Sequence, residues 1–174
     1  MSQPTGAVMQ IAYVVEEMDK ALEHWLNKIN VGPFFLLKNL EVVDPRYRGE
    51  PTDLNIDIAL GYSGGVCVEL IKQNCDSPSV YRELLNSKGE GFHHWGVYSD
   101  NFDQDLARYQ QQGYAAAFTG RVAIGARYAY MDTTADLGGM IELIEATPNV
   151  RDLFGNLESA ARDWDGSDPI RHVE

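Results

Sequence analysis

A chain of 174 residues, 44% hydrophobic and 23% charged, suits one domain or two small modules sharing a core, and is too apolar to be disordered. Its net charge of −12 repels phosphate backbones and argues against nucleic acid or an acidic membrane as partner, and no apolar run reaches the length of a membrane span. Cys67 and Cys75 stand in different settings, so no disulfide scaffold is expected; Met1 to Gly6 does not read as a secretory signal, and the expected compartment is the cytoplasm.

Residues 7–15 read as a strand in which Gln10 is the single polar side chain. Glu16 to Ile29 has helical spacing, with Met18, Leu22, Trp25 and Ile29 on one stripe, and Gly32-Pro33 breaks it before a strand from Pro33 to Lys38. Asp44 to Asp53 carries Pro45, Gly49 and Pro51 beside Arg46 and Arg48, the composition of a mobile basic loop. Leu54 to Leu60 alternates, with Asn55 and Asp57 opposite Ile56 and Ile58, and Val66 to Gln73 is a further strand. Ser77-Pro78 reads as the cap and first position of a short helix.

The order then recurs. Gly91 to Ser99 is a strand, Asp100 to Gln112 a helix with Phe102, Leu106 and Tyr109 in a stripe, and Tyr114 to Arg121, Ala126 to Asp132 and Gly139 to Glu145 are strands. The chain therefore divides into a first βαβββ module at 7–73, a linker with a short helix at 74–90, a second βαβββ module at 91–145, and a helical tail at 146–174. The tail is expected to cover an apolar edge or a partner subunit, with a lid over the pocket as the alternative.

Aligning the modules by pattern sets Gln10 against His94, each just before its helix, and Glu69 against Glu142, each inside an apolar strand. A carboxylate buried without a partner costs several kcal/mol, so such residues are usually paired or bound to a metal. Four polar side chains at repeat-equivalent positions point to one convergent site. His93 and His94 are neighbours on a strand, where alternation sends them to opposite faces. The repeat selects His94 for the site and sends His93 the other way, toward helix packing or a structural hydrogen bond.

Gln10-Ile-Ala-Tyr-Val-Val-Glu-Glu-Met-Asp-Lys-Ala-Leu, Gly-Phe-His-His-Trp-Gly-Val and the two Glu-Leu-Ile strands resemble the vicinal oxygen chelate superfamily, the glyoxalase/bleomycin-resistance/dioxygenase fold, and within it the methylmalonyl-CoA epimerase and glyoxalase I branch. The resemblance implies an α+β fold in which the tandem modules form an open, barrel-like cleft. It implies a divalent metal (Zn, Ni, Co or Mn) held by Gln10, Glu69, His94 and Glu142, a donor set with one imidazole and three oxygen donors. The implied activity is that of an isomerase, epimerase or lyase moving a proton next to a carbonyl through a metal-stabilised enolate, with Glu142 and Glu69 as the catalytic carboxylates. The alternative is a metal-free small-molecule binding protein of the bleomycin-resistance type.

A small-molecule carbonyl or acyl substrate is expected, with Asn55, Asp57, Tyr98 and Tyr128 as binding residues, and Tyr13, Trp95, Tyr98, Tyr128 and Tyr130 are candidates for aromatic walls. The resemblance also implies a homodimer. It departs at two places: the positions where a glutathione-binding relative would carry Arg hold Val14 and Glu90. Arg46, Arg48, Arg121 and Arg127 are the cations available to a CoA thioester.

Overall fold

Alternating side chains sort each strand between two environments, and the whole sheet follows from that sorting. The computed structural model describes residues 6–173; residues 1–5, whose composition was weighed above for a secretory signal, lie outside the described residues. The first module runs β1 (Val8–Val14), α1 (Met18–Lys28), β2 (Phe34–Leu40), a hairpin of β3 (Val42–Tyr47) and β4 (Glu50–Pro51), β5 (Ile56–Ser63) and β6 (Val66–Gln73). After α2 (Val80–Lys88) the second module runs β7 (Gly91–Ser99), α3 (Phe102–Gln111), β8 (Ala116–Val122), β9 (Arg127–Met131), α4 (Thr134–Leu137) and β10 (Met140–Glu145). A tail of α5 (Pro148–Arg162) and β11 (Ile170–Val173) completes the chain.

The strands form one curled sheet in the order β11-β2-β5-β6-β1-β7-β10-β9-β8-β3-β4, open between its ends. This is the α+β arrangement of two βαβββ units expected above. β1 and β7 are antiparallel at the centre, and each pairs in parallel with the last strand of its own module, β6 or β10. On the convex side α1 packs Met18 and Leu22 against Val68 and Leu70 of β6. There α3 packs Phe102 and Leu106 against Ile141 and Leu143 of β10. The concave side carries the alternate residues, among them Ile58, Leu60, Ile71 and Ile144. None of the helices among the described residues is long and apolar enough to cross a membrane.

Three expectations are corrected. The Asp44–Asp53 segment is not a mobile loop but the β3–β4 hairpin, and β3 pairs with β8 of the other module, Val42 facing Val122. Pro45, which has no N–H to donate, falls in the bulge between Val43 and Arg46, where the ladder is already interrupted. Arg48 and Gly49 (φ 49° and 90°) make the two-residue turn, a geometry whose twist matches the strands it joins. The α2 cap is Ser79 rather than Ser77: the Arg82 backbone N–H donates to Ser79 Oγ at 3.0 Å. The tail is not purely helical, because β11 pairs in parallel with β2 and covers that edge.

The central crossing is tight. Gly96 of β7 faces Gln10 of β1, and a Cβ built at Gly96 would stand 2.8 Å from the Gln10 Cβ. Gly96→Ala is expected to lower stability by about 1–3 kcal/mol, the cost of overpacking a filled interior. Urea unfolding measures it, and an unchanged midpoint would mean that the two strands have room to separate.

Candidate metal centre and cleft

The register of the central strands brings four polar side chains to the concave floor. Ala12, two residues beyond Gln10, pairs with Glu69; Gly96, two residues beyond His94, pairs with Glu142. Across the centre Gln10 faces Gly96 and Ala12 faces His94, so the two modules contribute by the same rule. All four side chains are buried, with exposures of 2% for Gln10, 8% for Glu69, 0% for His94 and 7% for Glu142. Ligand atoms of Glu69, His94 and Glu142 lie within 4.8 Å of one another. His94 Nε2 is 3.1 Å from Glu142 Oε2 and 3.4 Å from Glu69 Oε2, and Gln10 Nε2 donates to Glu69 Oε2 at 2.5 Å.

Two atoms of this set are left over. Gln10 Oε1 and His94 Nε2 are buried, and among the described residues neither has a partner in hydrogen-bond geometry. An amide oxygen and an imidazole nitrogen with an available lone pair are metal donors, and they stand with two carboxylates. Charge points the same way. Two carboxylates within 4.8 Å repel by about 3–4 kcal/mol at the effective dielectric of a protein site. An imidazolium at His94 offsets one of the two charges, whereas a divalent cation beside a neutral imidazole offsets both. The residues present fit a divalent metal.

Burial by itself would lower the His94 imidazole, but the Glu142 and Glu69 carboxylates outweigh it and hold it at about 9. Burial raises the Glu69 carboxyl, with the Glu142 charge adding to it and His94 and Gln10 opposing. His93 goes the other way: burial, then the neighbouring His94, lower it well below its ordinary value, so it is a neutral ring.

His93 corrects the alternation argument. It falls where the β1–β7 register slips, between the Ala12–His94 and Tyr13–Phe92 pairs, so it occupies a β-bulge. A bulge suspends the period of two, and the rings of His93 and His94 meet, with Nδ1 to Nδ1 at 2.8 Å. His93 does pack on a helix, its ring 5.2 Å from that of Tyr81 on α2, but it does so beside His94 rather than on the opposite face. With His93 neutral, His94 Nδ1–H donates to His93 Nδ1, and that tautomer leaves His94 Nε2 as the donor atom.

Above the floor opens a cleft of about 420 Å³. Gln10, Glu69 and Glu142 line its base together with Tyr81 and Tyr130, whose hydroxyls are 2.9 Å apart. Tyr128 also lines it. The remaining wall candidates do not. Asn55 and Asp57 are outside the lining: Asn74 Nδ2 donates to both, and Asp57 Oδ1 also accepts from the Asn39 backbone N–H at 2.8 Å. The face of β5 turned to the cleft is the apolar one, Ile56, Ile58 and Leu60, because the floor of this cleft is polar and its walls are not. Tyr98 lies behind the wall, packed on Phe154 and under Arg151. Tyr13 and Trp95 belong to the convex face with the helices.

The tail forms a wall rather than only covering an edge, since Val150, Leu153 and Phe154 of α5 line the cleft. Tyr81 was missed by sequence reasoning; it sits in the linker helix, outside the repeat that drew attention to the other residues. Val14 is buried and Glu90 accepts from the Glu16 backbone N–H on another face, so neither position offers a cation to the cleft.

Solved structures share this architecture. Methylmalonyl-CoA epimerase from Mycobacterium tuberculosis matches with a TM-score of 0.61 at 17% identity, over 87% of this chain and 97% of that one. A Streptomyces coelicolor methylmalonyl-CoA epimerase in complex with 2-nitronate-propionyl-CoA matches at 0.54 and 19% identity, over 82% and 99%. A hypothetical protein from Bacillus halodurans matches at 0.59 and 16%, over 81% and 94%. At such identities the likeness is one of fold, and no curated protein matches the sequence. The family model described as Glyoxalase/Bleomycin resistance protein/Dioxygenase superfamily matches residues 9–130, and the chain belongs to that superfamily.

Proposed function

We propose that the chain is a divalent-metal-dependent isomerase or epimerase that moves a proton at the carbon next to a carbonyl. The observation that carries this reading is the buried Gln10, Glu69, His94 and Glu142 set, with two donor atoms unsatisfied, of which Gln10, Glu69 and Glu142 line the base of a cleft large enough for a small molecule. Gln10 Oε1, His94 Nε2 and the two carboxylates would hold the ion. A divalent ion there supplies Lewis acidity, polarising a carbonyl and lowering the energy of the enolate that forms when the adjacent C–H loses its proton. The fold shared with methylmalonyl-CoA epimerases supports the reaction class.

The chain's own residues divide the remaining work. Glu69 is tied down by the Gln10 amide as well as by His94. Glu142 meets only His94 among the side-chain pairings of the described residues, so it is the freer carboxylate and the one suited to take the proton. Glu69, its repeat-equivalent, stands on the other side of His94 and suits return of a proton to the opposite face. The apolar walls exclude water and strengthen each of these interactions.

Protein purified without chelator is expected to hold one divalent ion per chain. Addition of metal at a hundred times its Kd should raise stability by about 2.7 kcal/mol, several degrees in melting temperature. With metal, the wild type should exchange the α-proton of a 2-substituted acyl thioester or α-hydroxyketone for solvent deuterium, and Glu142→Gln should slow that by about 10²–10⁴-fold. A wild type without metal in elemental analysis, and without a melting shift on metal addition, would sink the reading in favour of a metal-free binding protein.

The proton on His94 competes with the metal. A folded pKa of about 9, above the unfolded 6.5, stabilises the metal-free fold fully below 6.5, and that stabilisation is lost as the pH rises through about 9. Metal binding at pH 7 should therefore release about one proton, and metal affinity should rise with pH up to about 9. Calorimetric titration in two buffers of different ionisation enthalpy counts the proton; a count near zero would place the metal away from His94.

His93→Phe keeps the ring against Tyr81 and removes the acceptor for His94 Nδ1. Metal affinity is expected to fall about 10–100-fold with the fold intact by circular dichroism. Unchanged affinity would show that the His93–His94 bond does not orient the ligand.

A further inference from the structure

The substrate class can be narrowed, on the reading just given, from what the cleft offers above its floor. The walls come from both modules and the tail, with Leu37, Ile58, Ile124, Ile144, Leu153 and Phe154 among them. The apolar surface continues to the mouth, where Ile124 is 41% exposed and Val173 is 42% exposed. Exposed apolar residues at the entrance of a cleft mark a site that takes up apolar ligands.

Cations are scarce there. The lining contains two, Lys38 and Arg127. Arg127 is neutralised by Glu145 at 2.7 Å and Asp103 at 2.8 Å, and it lies over the Phe102 ring. Lys38 is exposed and shares the mouth with Glu41. On the β3–β4 hairpin, Arg48 is bound to Glu83 at 2.7 Å and Asp132 at 3.0 Å, and Arg46 donates to the Gly49 carbonyl. A phosphate-bearing carrier would find no buried cation along the wall, and the protein as a whole carries −12.

One buried polar atom of the wall is without a partner among the described residues. The Tyr128 hydroxyl is buried without a hydrogen-bond partner and stands beside Gly120, where an added Cβ would come within 2.9 Å of it. Burial raises this phenol well above its ordinary pKa, so it stays a neutral donor. The wall therefore carries no charge at this position.

We infer that the cleft takes an uncharged carbonyl compound with an apolar body, such as an aryl or alkyl α-hydroxyketone, rather than an acyl-CoA or a free carboxylic acid. The carbonyl end meets the floor and the body lies against the walls.

The test is a matched set of probes: 2-hydroxy-1-(2-naphthyl)ethanone, 2-naphthylglyoxylate and methylmalonyl-CoA. Binding to the metal-loaded protein is followed by equilibrium dialysis, and deuterium exchange is followed by mass spectrometry where a probe has an exchangeable α-proton. The hydroxyketone should bind at least ~10-fold tighter than the keto acid, and methylmalonyl-CoA should not displace it. Ile124→Glu, at a half-exposed position that tolerates charge, and Leu153→Glu should each weaken hydroxyketone binding ~10-fold with metal content unchanged. Tighter binding of the keto acid or the CoA thioester, or wall variants that bind the hydroxyketone as well as the wild type, overturns the inference. Hydroxyketone binding without deuterium exchange supports this substrate class while sinking the proton-transfer reading. Exchange into methylmalonyl-CoA with an inert hydroxyketone does the reverse.

Discussion

At the centre of the sheet β1 and β7 run antiparallel, so that Gln10 faces Gly96 and Ala12 faces His94. Backbone hydrogen bonds hold this register, and a slip of one residue would turn every polar side chain of the floor to the convex face. The residues opposite Gln10 and His94 are small, Gly96 and Ala12, and at Gly96 the ladder leaves no room for a Cβ beside Gln10. Each central strand then pairs in parallel with the last strand of its module, which delivers Glu69 and Glu142 to equivalent places. The site is a consequence of one register repeated by symmetry.

Burying two carboxylates, an amide and an imidazole would destabilise an ordinary core. Here they face one another across a few ångströms, and the cost is offset by the Gln10–Glu69 hydrogen bond and by the charge held at His94 beside the two carboxylates. The offset is incomplete, since Gln10 Oε1 and His94 Nε2 remain unmatched and one negative charge is left over. That residue of unsatisfied polarity is what a divalent ion would remove. His93 and the Tyr81–Tyr130 pair surround the set with neutral groups, and the apolar walls above keep the local dielectric low. Fold and site are linked through this balance: the burial that makes the set costly is also what makes it fit a divalent ion.

Much of this was legible in the chain because period-two strands and amphipathic helices repeat in the same order. The modules, Gln10, Glu69, His94 and Glu142 as equivalent positions, and the α1 and α3 stripes all follow from that repetition. Misreadings occurred where local pattern and tertiary setting part. Alternation separates His93 from His94, yet a bulge brings them together. Polar Asn55 and Asp57 read as cleft residues on the assumption that a site is polar throughout, but only its floor is. Pro45, Gly49 and Pro51 read as loop, yet their positions in a bulge and a two-residue turn suit a strand edge. Tyr81 had no repeat-mate to mark it.

The sequence by itself determined which residues are polar within apolar strands, how those strands alternate, and that the unit occurs twice, since periodicity and duplication are properties of the chain. It could not decide which face of β5 looks inward, that β3 crosses to pair with β8, or that α5 becomes a wall of the cleft. Each of those depends on partners distant in the chain, and local propensity carries no information about them. The tertiary structure alone set His93 against His94, because a register slip between two strands some eighty residues apart has no signature in either strand.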